Sequence, residues 1–524
     1  MWYMMQKSRG NSPPYVDVHC KNNTFVSRLV SCHCFSNIKS DHYFFMNRKI
    51  LLTVSSLFLF FSGFAQKSEA LQHFISNNCF SSAGLSVTVK NVGNGNTIVS
   101  HNSQLNLTPA STQKLLTTAT ALEMFGPEFR FETKVYYSGK ISSAGVLTGD
   151  IVVKGSGDPT LGAQYSSQGQ SAFFDTILSA LKRNGIREIY GKIIGDERLY
   201  NTEIVPWKTP WEDMGNYYAA GVSALNYSDN SYKLTFKTGA AGSRPRIVGV
   251  EPKVIGLKFQ NFLIAKDNDK DSAYLYGMPY CHERYIYGSV PANQSFFFIK
   301  GDVPDPALFA VQSLAVYLRS RGVKVSGEET TSRILEQQGS AIIPNGEILC
   351  TFRSDSLGEI IKVTNKKSYN FYAEALLRLI ASRYSKDGSL PAGIAAEKAF
   401  WDKKGLNAGK ILIYDGSGLA PSNRVNSGFL VDLLRYMITQ SHNKESYVRS
   451  LAIAGEDGTL KSFLANTALK GKVKAKSGSF EGVLTYAGIV NKNGSEYVFC
   501  VMVNAFTCQT SVVKRAIEQF LMDL

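Results

Sequence analysis

Histidine is scarce in this sequence, seven in 524 residues, and the four beyond position 65 (His73, His101, His282, His442) do not pair at metal-ligand spacing. Cysteine is sparse too. Three of eight (Cys20, Cys32, Cys34) precede position 65. The other five, Cys79, Cys281, Cys350, Cys500 and Cys508, form no Cys-x-x-Cys pair and no zinc pattern, and an odd count leaves at least one thiol unpaired. There is no Gly-x-Ser-x-Gly elbow. Metallohydrolase and Ser-His-Asp readings therefore have little to stand on. Apolar runs are short: Ile50 to Phe61 falls below the ~20 residues of a spanning helix. No basic run is interleaved with aromatics, which argues against nucleic acid. With 44% hydrophobic and 19% charged residues the chain is an ordinary globular one, long enough for two or three domains.

What is present begins with an export signal. Met46-Asn-Arg-Lys is basic, Ile50 to Phe61 is apolar, and Ser62-Gly-Phe-Ala65 ends in small residues. Residues 46–65 read as a signal peptide cleaved after Ala65, with 1–45 a non-native upstream extension and Met46 the true start. The expected location is the periplasm, with no firm membrane anchor after cleavage. Residues 66–524 carry a net charge of +10, suited to an anionic polymer or envelope.

The most informative stretch is Leu107-Thr-Pro-Ala-Ser111-Thr-Gln-Lys114-Leu-Leu. A Pro-Ala loop runs into a helix of small and apolar residues. Positions i and i+3 share a helix face, so Ser111 and Lys114 can come within hydrogen-bond reach. Such a pair activates a serine without histidine. Ser-x-x-Lys alone is weak and recurs at Ser36, Ser179, Ser441 and Ser511. The ordinary reading of any one match is an exposed Ser and Lys on a surface helix. Only Ser111 sits at a helix N-terminus with apolar residues behind it, where an N–H can meet an oxyanion and burial can depress a lysine pKa.

Alternation from Leu85 and again from Thr97 predicts a hairpin leading into that helix. From about Phe131 to Ile343 short strands alternate with Gly, Asn and Ser turns, with helices at 171–183 and 306–321. Helical periodicity returns at 370–383, 395–403 and 428–439. Three strands and a last helix, 511–524, follow. That helix has an apolar face for core packing or, less favourably, a membrane surface. The expected organisation is one α/β (α+β) catalytic domain split into 66–132 and 345–524 around a β-rich insertion, 133–344.

A Ser/Lys hydrolase also needs a relay hydroxyl, a positioning amide and a cation beside the cleft. Ser228-Asp-Asn230 and Lys237-Thr-Gly239 match literally, but they flank one strand and read as turns. The better set is Ser368-Tyr369-Asn370, entering a helix, and Lys476-Ser477-Gly478-Ser479, turning from one strand to the next. Each alone has an ordinary reading, an N-cap or a hairpin turn. With Ser111 and Lys114 they form an ordered set, each member on a suitable element.

This set resembles the penicillin-recognising serine enzymes. Ser111 to Ser368 spans 257 residues and Ser368 to Lys476 spans 108. The long first gap is similar to the class C low-molecular-mass penicillin-binding proteins, the D-alanyl-D-alanine carboxypeptidase/endopeptidase family. Gly155-Ser-Gly-Asp-Pro-Thr-Leu, Tyr414-Asp-Gly-Ser-Gly-Leu-Ala and Ala454-Gly-Glu-Asp-Gly-Thr-Leu add to the likeness. Tyr369 stands where Asp is common and Ser477 where Thr is common. Pro421 stands where relatives carry an Arg, with Arg424 three residues on.

The resemblance implies a serine-transpeptidase/β-lactamase-like fold with an antiparallel sheet and helices. It implies cleavage of D-alanyl-D-alanine bonds in peptidoglycan peptides, acylation by β-lactams, and no metal or organic cofactor. Ser111 is then the nucleophile, and Lys114 its base, depressed by burial and by the Lys476 charge. Ser368 relays a proton and Asn370 orients the substrate amide. Lys476 with Ser477 binds the terminal carboxylate. The N–H groups of Ser111 and Ser479 hold the oxyanion beside Gly478. By the same analogy Asp196 contacts the substrate side chain. A β-lactamase, a secreted esterase and a catalytically inactive wall-binding module are the alternatives.

Overall fold

The computed structural model describes residues 69–340, 346–385 and 387–524. The expected leader and the extension before it lie outside the described residues. Distant segments build one six-stranded antiparallel sheet, in the order Thr97–His101, Gly84–Asn91, Ser495–Asn504, Val483–Lys492, Val473–Phe480, Ala452–Ile453. Gly84–Asn91 pairs along its whole length with Ser495–Asn504, from Gly84 opposite Asn504 to Asn91 opposite Tyr497.

Period-two alternation gives this sheet two apolar faces. Val498, Cys500, Met502, Ala487 and Ile489 face the helices Lys114–Phe125, Asn370–Tyr384 and Ser427–Thr439. Phe499, Val501, Val503, Leu484 and Tyr486 face the other way, where Val513, Ile517, Phe520 and Leu521 of Thr510–Asp523 cover them. Each buried side chain of this size contributes ~1.5–3 kcal/mol. The last helix therefore spends its apolar face on the sheet. No described helix is long and apolar enough to cross a membrane.

Between Phe125 and Leu357 the chain makes further sheets. A five-stranded one has the order Glu329–Thr331, Ile193–Asp196, Ile151–Lys154, Glu132–Tyr137, Glu347–Arg353. Its outer strand Glu347–Arg353 pairs antiparallel with Glu132–Tyr137, so the inserted sheet reaches past 344 to Arg353. Ala172–Arg183 and Pro306–Ser320 pack on it through Phe173, Ile177 and Leu181, and through Val311, Leu314 and Leu318. Beyond lie two three-stranded sheets, Arg246–Glu251/Ser231–Lys237/Phe297–Asp302 and Lys258–Asn261/Glu283–Tyr287/Tyr274–Tyr276.

Several helices differ from expectation. Leu390–Lys403 begins five residues before 395, with proline in its first turn, where a missing N–H costs nothing. Leu357–Lys367 was not anticipated. Its Gly358, Ile360, Ile361, Val363 and Thr364 are weak helix formers, and tertiary burial of Leu357, Ile360 and Ile361 holds it.

Candidate active site

Ser111 lies not on the α-helix itself but on the 3-10 turn Ala110–Gln113 that runs directly into Lys114–Phe125. Thr112 and Thr485 both donate through Oγ1 to the Pro109 carbonyl, at 2.6 and 2.7 Å, fixing the turn to the sheet. The i, i+3 relation survives: Lys114 Nζ is 2.9 Å from Ser111 Oγ.

Two further atoms complete the surroundings of that amine. Asn370 Oδ1 and the Ser417 carbonyl oxygen each accept from Lys114 Nζ at 2.7 Å. Both can only accept, so they take the two N–H groups of a neutral amine. The remaining tetrahedral position then points a lone pair at Ser111 Oγ. Full burial pushes the Lys114 pKa down to about 7, against the raising effect of Asp415 and Glu374.

Those carboxyls sit on a tight loop. Glu374 accepts the N–H groups of Gly416 and Ser417 at 3.0 and 2.8 Å. Asp415 accepts those of Gly418 and Ala420 at 2.8 and 2.6 Å. Glu374 is itself raised to about 7, by burial and by the Asp415 charge. The loop needs its glycines. A Cβ on Gly418, at φ +79°, would fall 2.0 Å from the Ala110 oxygen.

The second motif is a one-residue hinge. Ser368 is not an N-cap; it is the left-handed C-cap (φ 57°, ψ 41°) of Leu357–Lys367, and Asn370–Tyr384 starts two residues later. The third motif meets it directly. Lys476 Nζ donates to Ser368 Oγ at 2.8 Å and to the Ser477 carbonyl at 2.5 Å. Lys476 is fully buried, and burial, with the Lys114 charge behind it, pushes its pKa well down. Burial is the leading cause at both amines, and the repulsion between Lys114 and Lys476 is mutual, so a charge on either favours the neutral form of the other. The Lys476 side chain has no exposed surface. The reachable groups on that strand are the Ser477 hydroxyl, 2.8 Å from Thr459 Oγ1, and exposed Ser479.

Gly478 brings the strand against Ser111. A Cβ there would fall 2.7 Å from the Ser111 nitrogen and 2.8 Å from the Pro109 oxygen. Ser111, Lys114, Ser368, Asn370, Lys476, Ser477 and Gly478 therefore converge. The structure does not bring Asp196 to them. Arg198 grips it twice at 2.8 Å, in a cavity of about 530 Å³ lined by Lys134 and Lys154. Arg424 is spent on Thr108 Oγ1 (2.8 Å) and on nearby carbonyls.

The sequence model of the D-Ala-D-Ala carboxypeptidase 3 (S13) family matches residues 67–523. The chain belongs to that family. This S13 protein is a serine-type carboxypeptidase. It is 26% identical over 425 residues to the D-alanyl-D-alanine carboxypeptidase DacB of Haemophilus influenzae, covering 80% of this chain and 85% of that one. It is 27% identical over 432 residues to the D-alanyl-D-alanine carboxypeptidase of Actinomadura sp., covering 80% and 77%. Among solved structures, penicillin-binding protein 4 (dacB) from Haemophilus influenzae shares the fold at a TM-score of 0.74 and 24% identity, covering 87% of this chain and 98% of that one.

Sequence reasoning missed three partners in this S13 site. Ser417 and Tyr218 act through main-chain carbonyls, the latter accepting from Asn370 Nδ2 at 2.8 Å. No side-chain signal marks such contacts. Thr459 was visible in the stretch from Ala454, and Gly416 and Gly418 marked the loop that carries Ser417.

Proposed function

We propose that this S13 enzyme cleaves D-alanyl-D-alanine-type bonds of peptidoglycan stem peptides or cross-links through an acyl-enzyme on Ser111, and that β-lactams acylate the same oxygen. The observation that carries the reading is Lys114 Nζ, 2.9 Å from Ser111 Oγ with carbonyl oxygens at its two other contacts.

Ser111 Oγ attacks the carbonyl carbon of the penultimate D-alanine while its proton passes to neutral Lys114. The N–H groups of Ser111 and Ser479 receive the developing oxyanion; loss of such a donor costs ~3–4 kcal/mol. Collapse breaks the C–N bond, and the leaving amine takes a proton through the Ser368 hydroxyl, which Lys476 supports at 2.8 Å. Water, deprotonated by the same relay, then releases the acyl group and restores the Ser111 proton. The terminal carboxylate docks on the Ser477 and Thr459 hydroxyls, with the buried Lys476 amine behind them. A carboxylate there favours protonated Lys476, whose charge in turn favours neutral Lys114. Substrate binding thereby prepares the base.

We assign 66–131 and 354–524 to the catalytic domain, 132–353, whose first and last strands pair with each other, to the insertion, and the enzyme to the periplasm; the basic-apolar-small pattern of 46–65 supports export. The test is mass spectrometry of muropeptides after digestion by purified enzyme, alongside labelling by fluorescent penicillin. The expected result is loss of terminal D-alanine or of cross-links, and labelling that Ser111→Ala abolishes. Labelling that persists in Ser111→Ala rejects the assignment.

A further inference from the structure

The outer three-stranded sheet breaks the rule for a half-buried sheet. One face buries Leu275, Arg284 and Ile286; the other should be polar. Instead the alternate positions are Tyr274, Tyr276, Tyr285 and Tyr287, with Tyr274 opposite Tyr287 and Tyr276 opposite Tyr285. Flanking rings extend the row. Trp211 stacks on Tyr276 at 4.9 Å, Tyr276 meets Tyr287 edge-on at 5.8 Å, and Tyr287 stacks on Phe262 at 4.9 Å. Trp211 is 67% exposed and Tyr287 45%. A contiguous exposed row of this kind marks a binding surface.

One end of the row comes near the residues packed behind Lys114. Trp211 lies two residues after Thr209, so their Cα atoms are at most about 7 Å apart. Thr209, Tyr218, Asn370, Glu374 and Ser417 line one small cavity, and the Tyr218 carbonyl holds Asn370.

We propose that this aromatic row binds the polysaccharide strand of peptidoglycan. Sugar rings present weakly positive C–H faces that suit the negative faces of aromatic rings. Their rims carry hydroxyl and amide groups that match phenol hydroxyls and the Gln260 side chain, which stands opposite Tyr285. The phenol hydroxyls beside the ring faces let one row meet both the C–H faces and the hydroxyl rims of sugars, which argues for this occupant. The enzyme would thus hold the strand while stem peptides are presented to Ser111. This inference rests on the peptidoglycan reading of the catalytic site.

The experiment uses glycan strands stripped of stem peptides, with the intact enzyme and Trp fluorescence as the readout. Binding to the wild type is expected, weakened at least about tenfold in the Tyr285→Ser/Tyr287→Ser double variant. The double variant should turn over a soluble D-alanyl-D-alanine peptide within about twofold of wild type, and digest intact sacculi several-fold more slowly. Phe262→Ser serves as a second variant should the double one fold poorly. Stripped strands that fail to bind the wild type, or bind both variants as well as it, overturn the proposal. So does a wild-type dimer that the variants dissolve, since the face would then join two copies. Strand binding needs no catalysis, so failure of the peptidase reading shows separately, in soluble-peptide turnover.

Discussion

Asn370 holds two parts of the molecule at once: its Oδ1 accepts from Lys114 Nζ at 2.7 Å while its Nδ2 donates to the Tyr218 carbonyl at 2.8 Å. The amide is therefore fixed in one orientation, and the Tyr218 loop is tied to Lys114. An amide is the side chain that fits, because one end must accept and the other donate.

Asn370→Asp keeps the shape and breaks that division. A carboxylate oxygen would face the Tyr218 carbonyl oxygen, and its charge would raise the Lys114 pKa. We expect kcat/KM on a D-alanyl-D-alanine peptide to fall by ~10²-fold or more. The same loss should appear in the rate of penicillin acylation. A variant that acylates at the wild-type rate would dissociate Asn370 from Lys114.

Gly478→Ala should be nearly inactive while still folded. The added methyl would lie 2.7 Å from the Ser111 nitrogen, 2.8 Å from the Pro109 oxygen and 2.6 Å from Thr485 Oγ1. Two of the three are backbone atoms, so the turn that carries Ser111 must move. A displacement of about 1 Å costs on the order of 10²-fold in rate. Comparison of acylation rate with melting temperature checks this; a slow but stable variant is the expected outcome.

The pH profile follows from Lys114. The proposed mechanism uses its neutral form, and burial pushes its pKa down to about 7. Acylation should rise about tenfold per pH unit below that value and level off above it. A β-lactam whose carboxylate is esterified cannot favour protonated Lys476. Its profile should shift to higher pH and its rate should drop. Identical profiles for acid and ester would sink the coupling.

Glu397 gives a stability prediction of opposite sign. It is fully buried behind the site, takes a hydrogen bond from Thr120 Oγ1 at 3.2 Å, and is raised to about 8, chiefly by burial. Its folded pKa exceeds its unfolded value near ~4.3, so the folded state binds the proton more tightly. That stability is fully present below ~4.3 and is lost progressively as pH rises to about 8. Glu397→Gln mimics the neutral acid and should flatten this loss. Urea unfolding at pH 5 and pH 9 measures it.

Much of the site was legible in the sequence because its side chains carry the chemistry at fixed local spacings. Ser111 and Lys114 needed only a helical turn, and Ser368 to Asn370 only a helix entry. What stayed hidden was tertiary. The carbonyls of Ser417 and Tyr218 have no residue signature, and helix Leu357–Lys367 is held by burial that propensity does not report. Asp196 was assigned by analogy, yet Arg198 two residues on already claims it. The alternating tyrosines around Leu275 and Ile286 drew no reading from the sequence. Only the strand register showed that they share one solvent-facing surface.

At Ser368 the hydroxyl that meets Lys476 is aimed by the backbone, since a φ of 57° is a conformation that non-glycine side chains rarely adopt. Glycine is at ease in that conformation. Ser368→Gly should therefore leave the fold intact or firmer, by up to ~1 kcal/mol, while silencing the proton relay. Selection for thermal robustness alone would drift this position toward a well-folded enzyme that cannot turn over.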